Sequence, residues 1–181
     1  MGQPDEEGSN RRLTHVDEHG KAHMVDVTGK PPTRRVAEAR CSVRTTADVA
    51  ALLAESSGGI DLVETARFSG ILAAKKTSSL IPLCHPIRID GVTVDVEVVP
   101  DGFRIIAVAE ITERTGVEME ALTACAAAAL VLLQPLLDAD PHTSIEGLTL
   151  WRKTGGRSGT WLRSETGEMH GENEPRFLGE R

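Results

Sequence analysis

Apolar positions recur with two different periods along this chain, and the switches between them mark out its elements. RRVAEARCSVRT (Arg34 to Thr45) alternates loosely, while IRIDGVTVDVEVV (Ile87 to Val99) and FRIIAVAEIT (Phe103 to Thr112) alternate clearly, the period of a strand with one buried face. Pro100-Asp101-Gly102 between the last two is turn chemistry and predicts a hairpin. A final strand, SIEGLTLWRK, follows Pro141, and HMVDV (His23 to Val27) predicts a short extended segment near the start.

Helical spacing governs the rest. Thr45 and Asp48 have capping spacing ahead of VAALLAE, and Ser56, Ser57, Gly58 and Gly59 end that short helix. Asp61, with Glu64 three positions on, starts a second helix that runs to Lys75 and Lys76, whose charges suit its negative end. TGVEMEALTACAAAALVLLQPLL (Thr115 to Leu137) is the longest apolar run and predicts a central helix buried on nearly every face. Thr115 and Glu118 have the spacing of a capping box. Pro135 predicts a kink or an early end, because it lacks a donor and presses on the preceding turn. A membrane span is set aside: the run falls short of the roughly 20 apolar residues needed and is mostly alanine.

The order strand, helices, strand, strand, helix, strand predicts an α+β fold, a ferredoxin-like antiparallel sheet with helices packed on one face. The 181 residues, 40% of them hydrophobic, suit one domain at 13–163, between a flexible N-terminal tail at 1–12 and a flexible acidic C-terminal tail at 164–181.

Charge changes the picture little. The net charge is -7, and the tails hold eight acids against four bases, so -4 of it lies outside the domain. No basic face for nucleic acid is expected. Cys41, Cys84 and Cys125 are widely spaced, which argues against a disulfide framework or a zinc knuckle and for a reducing cytoplasm. MGQPDEEGSNRR lacks the apolar stretch of a secretory signal.

Three constellations carry candidate chemistry. His85, in Leu83-Cys84-His85-Pro86, suits proton transfer or a phosphate contact, or is a loop histidine held by a backbone partner. Cys84 reads as a small packed residue rather than a nucleophile. Glu118 and Glu120, two apart on a helix, point to different sides and form no tight dyad; a capping box accounts for Glu118 but not for Glu120. In KTGGRSG (Lys153 to Gly159) the glycines open the backbone to a ligand, and Lys153 and Arg157 add positive charge, so the stretch is either a phosphate cradle or simply a turn. His19 and His23 flank a segment expected to be extended, and no metal site is expected there.

HMVDV, TARFSGILAAKKT, LIPLCHP, GVEMEALTA and KTGGRSG, in this order across Leu13 to Arg163, resemble the cyclic pyranopterin monophosphate synthase family of molybdenum cofactor biosynthesis. The resemblance implies a ferredoxin-like fold, a hexamer built from dimers with active sites at subunit interfaces, and no metal or other cofactor. It implies conversion of cyclic dihydro-GTP, a cyclised guanine nucleotide, to cyclic pyranopterin monophosphate with release of pyrophosphate. By the same resemblance Leu83, Cys84, His85, Met119, Glu120 and Lys153 meet substrate, joined by Arg157 of the Gly-rich loop, and His85, Glu118, Glu120 and Lys153 are catalytic. Three family positions differ. Gln134 stands where the family has a catalytic Asp, Leu137 where it has a Lys, and Gly59 where it has another Lys. Gln cannot exchange a proton as Asp does, and Leu cannot hold a phosphate. These losses imply altered chemistry on a related purine nucleotide or, alternatively, a catalytically silent binding or assembly partner of an intact homologue. Asp138, one turn beyond Gln134, is a candidate replacement if the kink swings it toward the pocket.

Overall fold

The computed structural model of the chain describes residues 15–17, 19–56, 61–156, 159–164 and 169–170. The predicted tail at 1–12, most of that at 164–181, Gly59 and Arg157 lie outside these residues. In chain order the elements are β1 (Thr33–Arg44), α1 (Val49–Ser56), α2 (Leu62–Ala74), α3 (Thr77–Leu80), β2 (Gly91–Val99), β3 (Gly102–Glu113), α4 (Glu118–Ala139), β4 (Ser144–Thr154), β5 (Trp161–Arg163) and β6 (Met169–His170). They form one α+β unit around a six-stranded sheet of order β2-β3-β1-β4-β5-β6, antiparallel at every pairing. β1 and β2 flank β3, so the α1–α3 segment is the crossover of a split βαβ unit. β5 and β6, too short to show a period, extend the sheet beyond the predicted strands.

Alternation places the core. Ala37, Ala39, Cys41 and Val43 of β1 lie opposite Ala109, Ala107, Ile105 and Phe103 of β3, and all eight are buried. α4 lies across this face against all four long strands, and α2 packs beside it on β2. The seam between the two helices needs a small residue: a methyl group at Gly70 would stand 2.8 Å from the Ala124 carbonyl oxygen and 3.0 Å from Val94 Cγ2.

Four helical expectations need correction. The start of α4 is not a capping box: Val117 occupies the cap position, and no side-chain hydrogen bond caps the helix there. At α1 the cap is Asp48, whose Oδ1 accepts from Ala51 N at 3.0 Å, while Thr45 Oγ1 accepts from Ala47 N instead. Of the two outcomes expected at Pro135, a kink or an early end, the early end fails, since α4 runs four residues past it to Ala139. Nor is it buried all round: Ala121, Ala124, Ala128, Leu132 and Leu136 face the core, but Leu130 is 58% and Leu137 39% exposed. Among the described residues nothing covers that outer face. By length and composition α4 is apolar enough to cross a membrane, and its seat on the sheet accounts for the apolar residues on its inner side. His23 to Val27 form no strand; the nearby pairing is a single bridge between Val16 and Ala22.

Candidate active site

The irregular segment before β1, the loop after α3, the first turn of α4 and the end of β4 converge on one cavity of about 660 Å³. That is the size of a small-molecule site. Leu83, Cys84, His85, Glu118, Met119, Glu120 and Lys153 all line it. Gln134, Leu137 and Asp138 do not: all three are exposed, farther along α4, outside the cavity. The proposed swing of Asp138 into the pocket therefore fails within this chain, because α4 continues past Pro135 without carrying Asp138 there.

His85 is oriented by the backbone. Its Nε2–H donates to the Val25 carbonyl at 3.0 Å, and since a carbonyl only accepts, Nε2 holds the proton and Nδ1 of the neutral ring is left as an acceptor. HMVDV thus serves the site as a loop that fixes a tautomer. Asp26 shapes that loop by accepting from both the backbone N and the hydroxyl of Thr28, at 2.9 and 2.7 Å.

The two glutamates differ in surroundings, as their spacing on α4 requires. Glu118, freed from any capping role, folds back over Gly116, where a side chain on that residue would collide with its carboxylate, and it lies 3.4 Å from Lys153 Nζ. Both members of this pair are about one-third exposed, so it orients more than it stabilises. Glu120 is buried, 4% exposed, with no Lys or Arg paired to it among the described residues. Burial pushes its carboxyl above the usual range, and the Glu118 charge adds to that. Burial also pushes the Cys84 thiol up, with Glu120 contributing, which makes Cys84 a poor nucleophile.

Sequence reasoning missed part of the positive lining. Lys30, Arg35 and Arg114 join Lys153 in the cavity, four cationic side chains against the two glutamates, in a chain whose net charge is -7. Arg35 also organises the wall. Its Nε donates to the Glu113 carbonyl at 2.9 Å and its Nη2 to the Arg114 carbonyl at 3.1 Å, and its Nη1 lies over Gly156, where an added side chain would push the guanidinium aside. Gly155 and Gly156 have φ of 87° and 71°, a left-handed backbone natural to glycine. The Gly-Gly pair is thus required first by its packing on β1, where Gly155 meets the Arg34 carbonyl. The only available signal for these cations was the charge of single residues, with no periodicity behind it.

The fold and site define a class: a small α+β protein whose cavity offers cations to an anionic ligand, with a histidine and two carboxylates alongside. The MoaC family model matches residues 24–156. Similar curated proteins include cyclic pyranopterin monophosphate synthase 2 of Mycobacterium bovis, 49% identical over 83% of this chain and 91% of the relative. The cyclic pyranopterin monophosphate synthases of Streptomyces avermitilis, 47% identical over 84% of this chain and 91% of theirs, and Novosphingobium aromaticivorans, 48% over 84% and 98%, are comparable. The chain belongs to the MoaC family.

Proposed function

We propose that the protein works in molybdenum cofactor biosynthesis, taking cyclic dihydro-GTP or a closely related cyclised purine nucleotide into the 660 Å³ cavity. The observation that carries this reading is the convergence of His85, Glu118, Glu120 and Lys153, from three distant segments, with Lys30, Arg35 and Arg114. The cations suit a triphosphate and, after rearrangement, the pyrophosphate leaving group. Nδ1 of His85 is an acceptor for a substrate proton, and burial favours the protonated form of the Glu120 carboxyl, the form able to donate one. No resident cofactor enters this scheme.

The protein acts as a homo-oligomer in the cytoplasm, a hexamer built from dimers by family resemblance. Supporting this, Leu130 and Leu137 leave an apolar stripe exposed on α4 with Gln134 between them, and an adjoining subunit would bring that stripe to a neighbouring cavity. There the substituted positions would present an amide and an aliphatic chain. These substitutions favour altered chemistry, or a second reading in which the chain binds the nucleotide, or completes the site of an intact homologue, without turning it over.

The test is incubation of purified protein with cyclic dihydro-GTP and mass spectrometry of the products, beside the Gln134→Asp, Leu137→Lys double variant. Cyclic pyranopterin monophosphate and pyrophosphate are the expected products, formed faster by the double variant. Tight binding with unchanged substrate would establish the second reading. Neither binding nor turnover would overturn both.

A further inference from the structure

Cys41 lies in β1 and Cys125 in the second turn of α4, 84 residues apart in sequence, and neither lines the candidate active site. Both are free thiols, 4% and 0% exposed. Buried alanines surround them, Ala39 and Ala107 on the sheet and Ala121, Ala124 and Ala128 on the helix. Side chains this small let α4 sit close to β1, and the two sulfurs meet: the Cys125 thiol donates to Cys41 Sγ at 3.1 Å. We propose that Cys41 and Cys125 form an oxidation site, which a small peroxide converts to an intramolecular disulfide that pins α4 to β1.

The two sulfurs have distinct roles. The hydrogen bond from Cys125 holds the Cys41 thiol below its ordinary range, while the same bond and burial push Cys125 up. Cys41 is therefore the attacking thiolate. With hydrogen peroxide, its sulfur takes one oxygen, the O–O bond breaks, and the departing hydroxide leaves as water with the thiol proton. Cys125 then attacks the sulfenic sulfur; the S–S bond forms, the S–O bond breaks, and a second water carries off the Cys125 proton. Two thiols lose two electrons in total and one peroxide becomes two waters. Cys41 is among the residues lining a cavity of about 280 Å³ with Arg40, Ser42 and Trp151. Those neighbours alternate with the core-facing residues, so that cavity lies on the face of the sheet away from the two sulfurs, and a peroxide reaches Cys41 Sγ by local opening of α4. Cys84, on the wall of the other cavity, serves as the internal control.

The full chain is treated with hydrogen peroxide under native conditions, alkylated, and analysed intact and as peptides. The expected result is an intact mass lower by two hydrogens, a linked Cys41–Cys125 peptide, one remaining alkylated cysteine of the three, and recovery of all thiols with dithiothreitol. Amides from 118 to 128 should exchange about tenfold more slowly in the oxidised form, because local opening of α4 is restricted. In Cys125→Ser, whose hydroxyl keeps a hydrogen-bond donor beside Cys41, Cys41 should stop at the sulfenic acid and become labelled by dimedone. The proposal is overturned if Cys84 oxidises while the pair stays reduced, if the link forms only in urea or between chains, or if Cys41 takes no label in the variant. Equal exchange rates in the two forms overturn the pinning.

Discussion

At its first turn α4 carries Glu118 and Glu120 into a cavity with Lys30, Arg35, Arg114 and Lys153, while its last turns hold Gln134 and Leu137 outward and close on Asp140. One end faces a ligand site; the other is a structural joint beside an uncovered apolar stripe. The contrast separates two jobs that one family motif set would combine. Groups able to bind an anion come together within a single subunit, and Gln134 and Leu137, where the family resemblance implies other residues, lie outside that cavity. Changes at the far end therefore leave the shape and charge of the near end intact. Binding and turnover become separable properties of one helix.

The sharpest way to break the comparison is at Glu120. Replacing the buried carboxyl by an isosteric amide, Glu120→Gln, should lower turnover of cyclic dihydro-GTP by about 10² to 10⁴, the usual loss for one positioned acid or base. Stability should move the other way. Fold-induced raising of this pKa means the native state disfavours the ionised form, a penalty absent below the unfolded pKa and complete above the folded one. At neutral pH the variant should match or exceed the parent in melting temperature. A large drop in melting temperature with unchanged turnover would make Glu120 structural.

Lys153→Ala comes next. A charge-assisted contact contributes about 1.5–3 kcal/mol, so calorimetric affinity for a guanosine triphosphate ligand should fall by about 10- to 100-fold. Leu137→Ala, measured on dissociated subunits, should leave that affinity unchanged. An equal loss in both variants would mean that the two ends of α4 do not divide the work as proposed.

Much of this division was legible in the chain before any coordinates. The period-2 runs gave β1, β2 and β3 to within a few residues, and Asp61 caps α2 as its position predicted, accepting from Val63 N and Glu64 N. Local signals succeed where one residue type does one local job. They failed where tertiary neighbours decide. Thr115 and Glu118 have capping-box spacing, yet the carboxylate turns to Lys153, a partner far along the chain that no local rule sees. Arg35 sits in a loosely alternating strand, where nothing distinguishes a cation that ties β3 to a glycine turn from one that faces water. The meeting of Cys41 and Cys125 depends on alanines in three different elements. The far end of α4 read as buried because alanine and leucine fill it, but composition cannot tell which face a neighbour covers.

Between the two ends, Gly70 tests how closely α4 must pack. Gly70→Ala would force a methyl group to 2.8 Å from a backbone oxygen that cannot swing aside, so urea denaturation should show a loss of about 1–3 kcal/mol, the range for overpacking. Gly91→Ala is the control, since nothing lies within 4 Å of an added methyl there. A neutral or stabilising Gly70→Ala would show that the α2–α4 seam relaxes.

The joint at the far end makes the mildest prediction, one that appears only in acid. Asp140 is buried at the end of α4, where its Oδ2 accepts from Thr46 N at 2.7 Å and from the Thr45 and Thr46 hydroxyls, and its Oδ1 accepts from His142 N at 2.9 Å. The backbone N–H of Thr46, then that of His142, hold the carboxyl down to about 2 from an ordinary 3.8. A depressed folded-state pKa supplies stability that is fully present above the unfolded value and is lost as pH falls through the folded one. The contribution should be flat from pH 7 to about 4 and disappear between about 4 and about 2. Asp140→Asn should remove this segment of the acid profile, while the anion affinity of the cavity at neutral pH stays at the parent value. If the variant weakened that affinity as Lys153→Ala does, the joint and the cavity would be one coupled unit, and the separation of the two ends of α4 would fail.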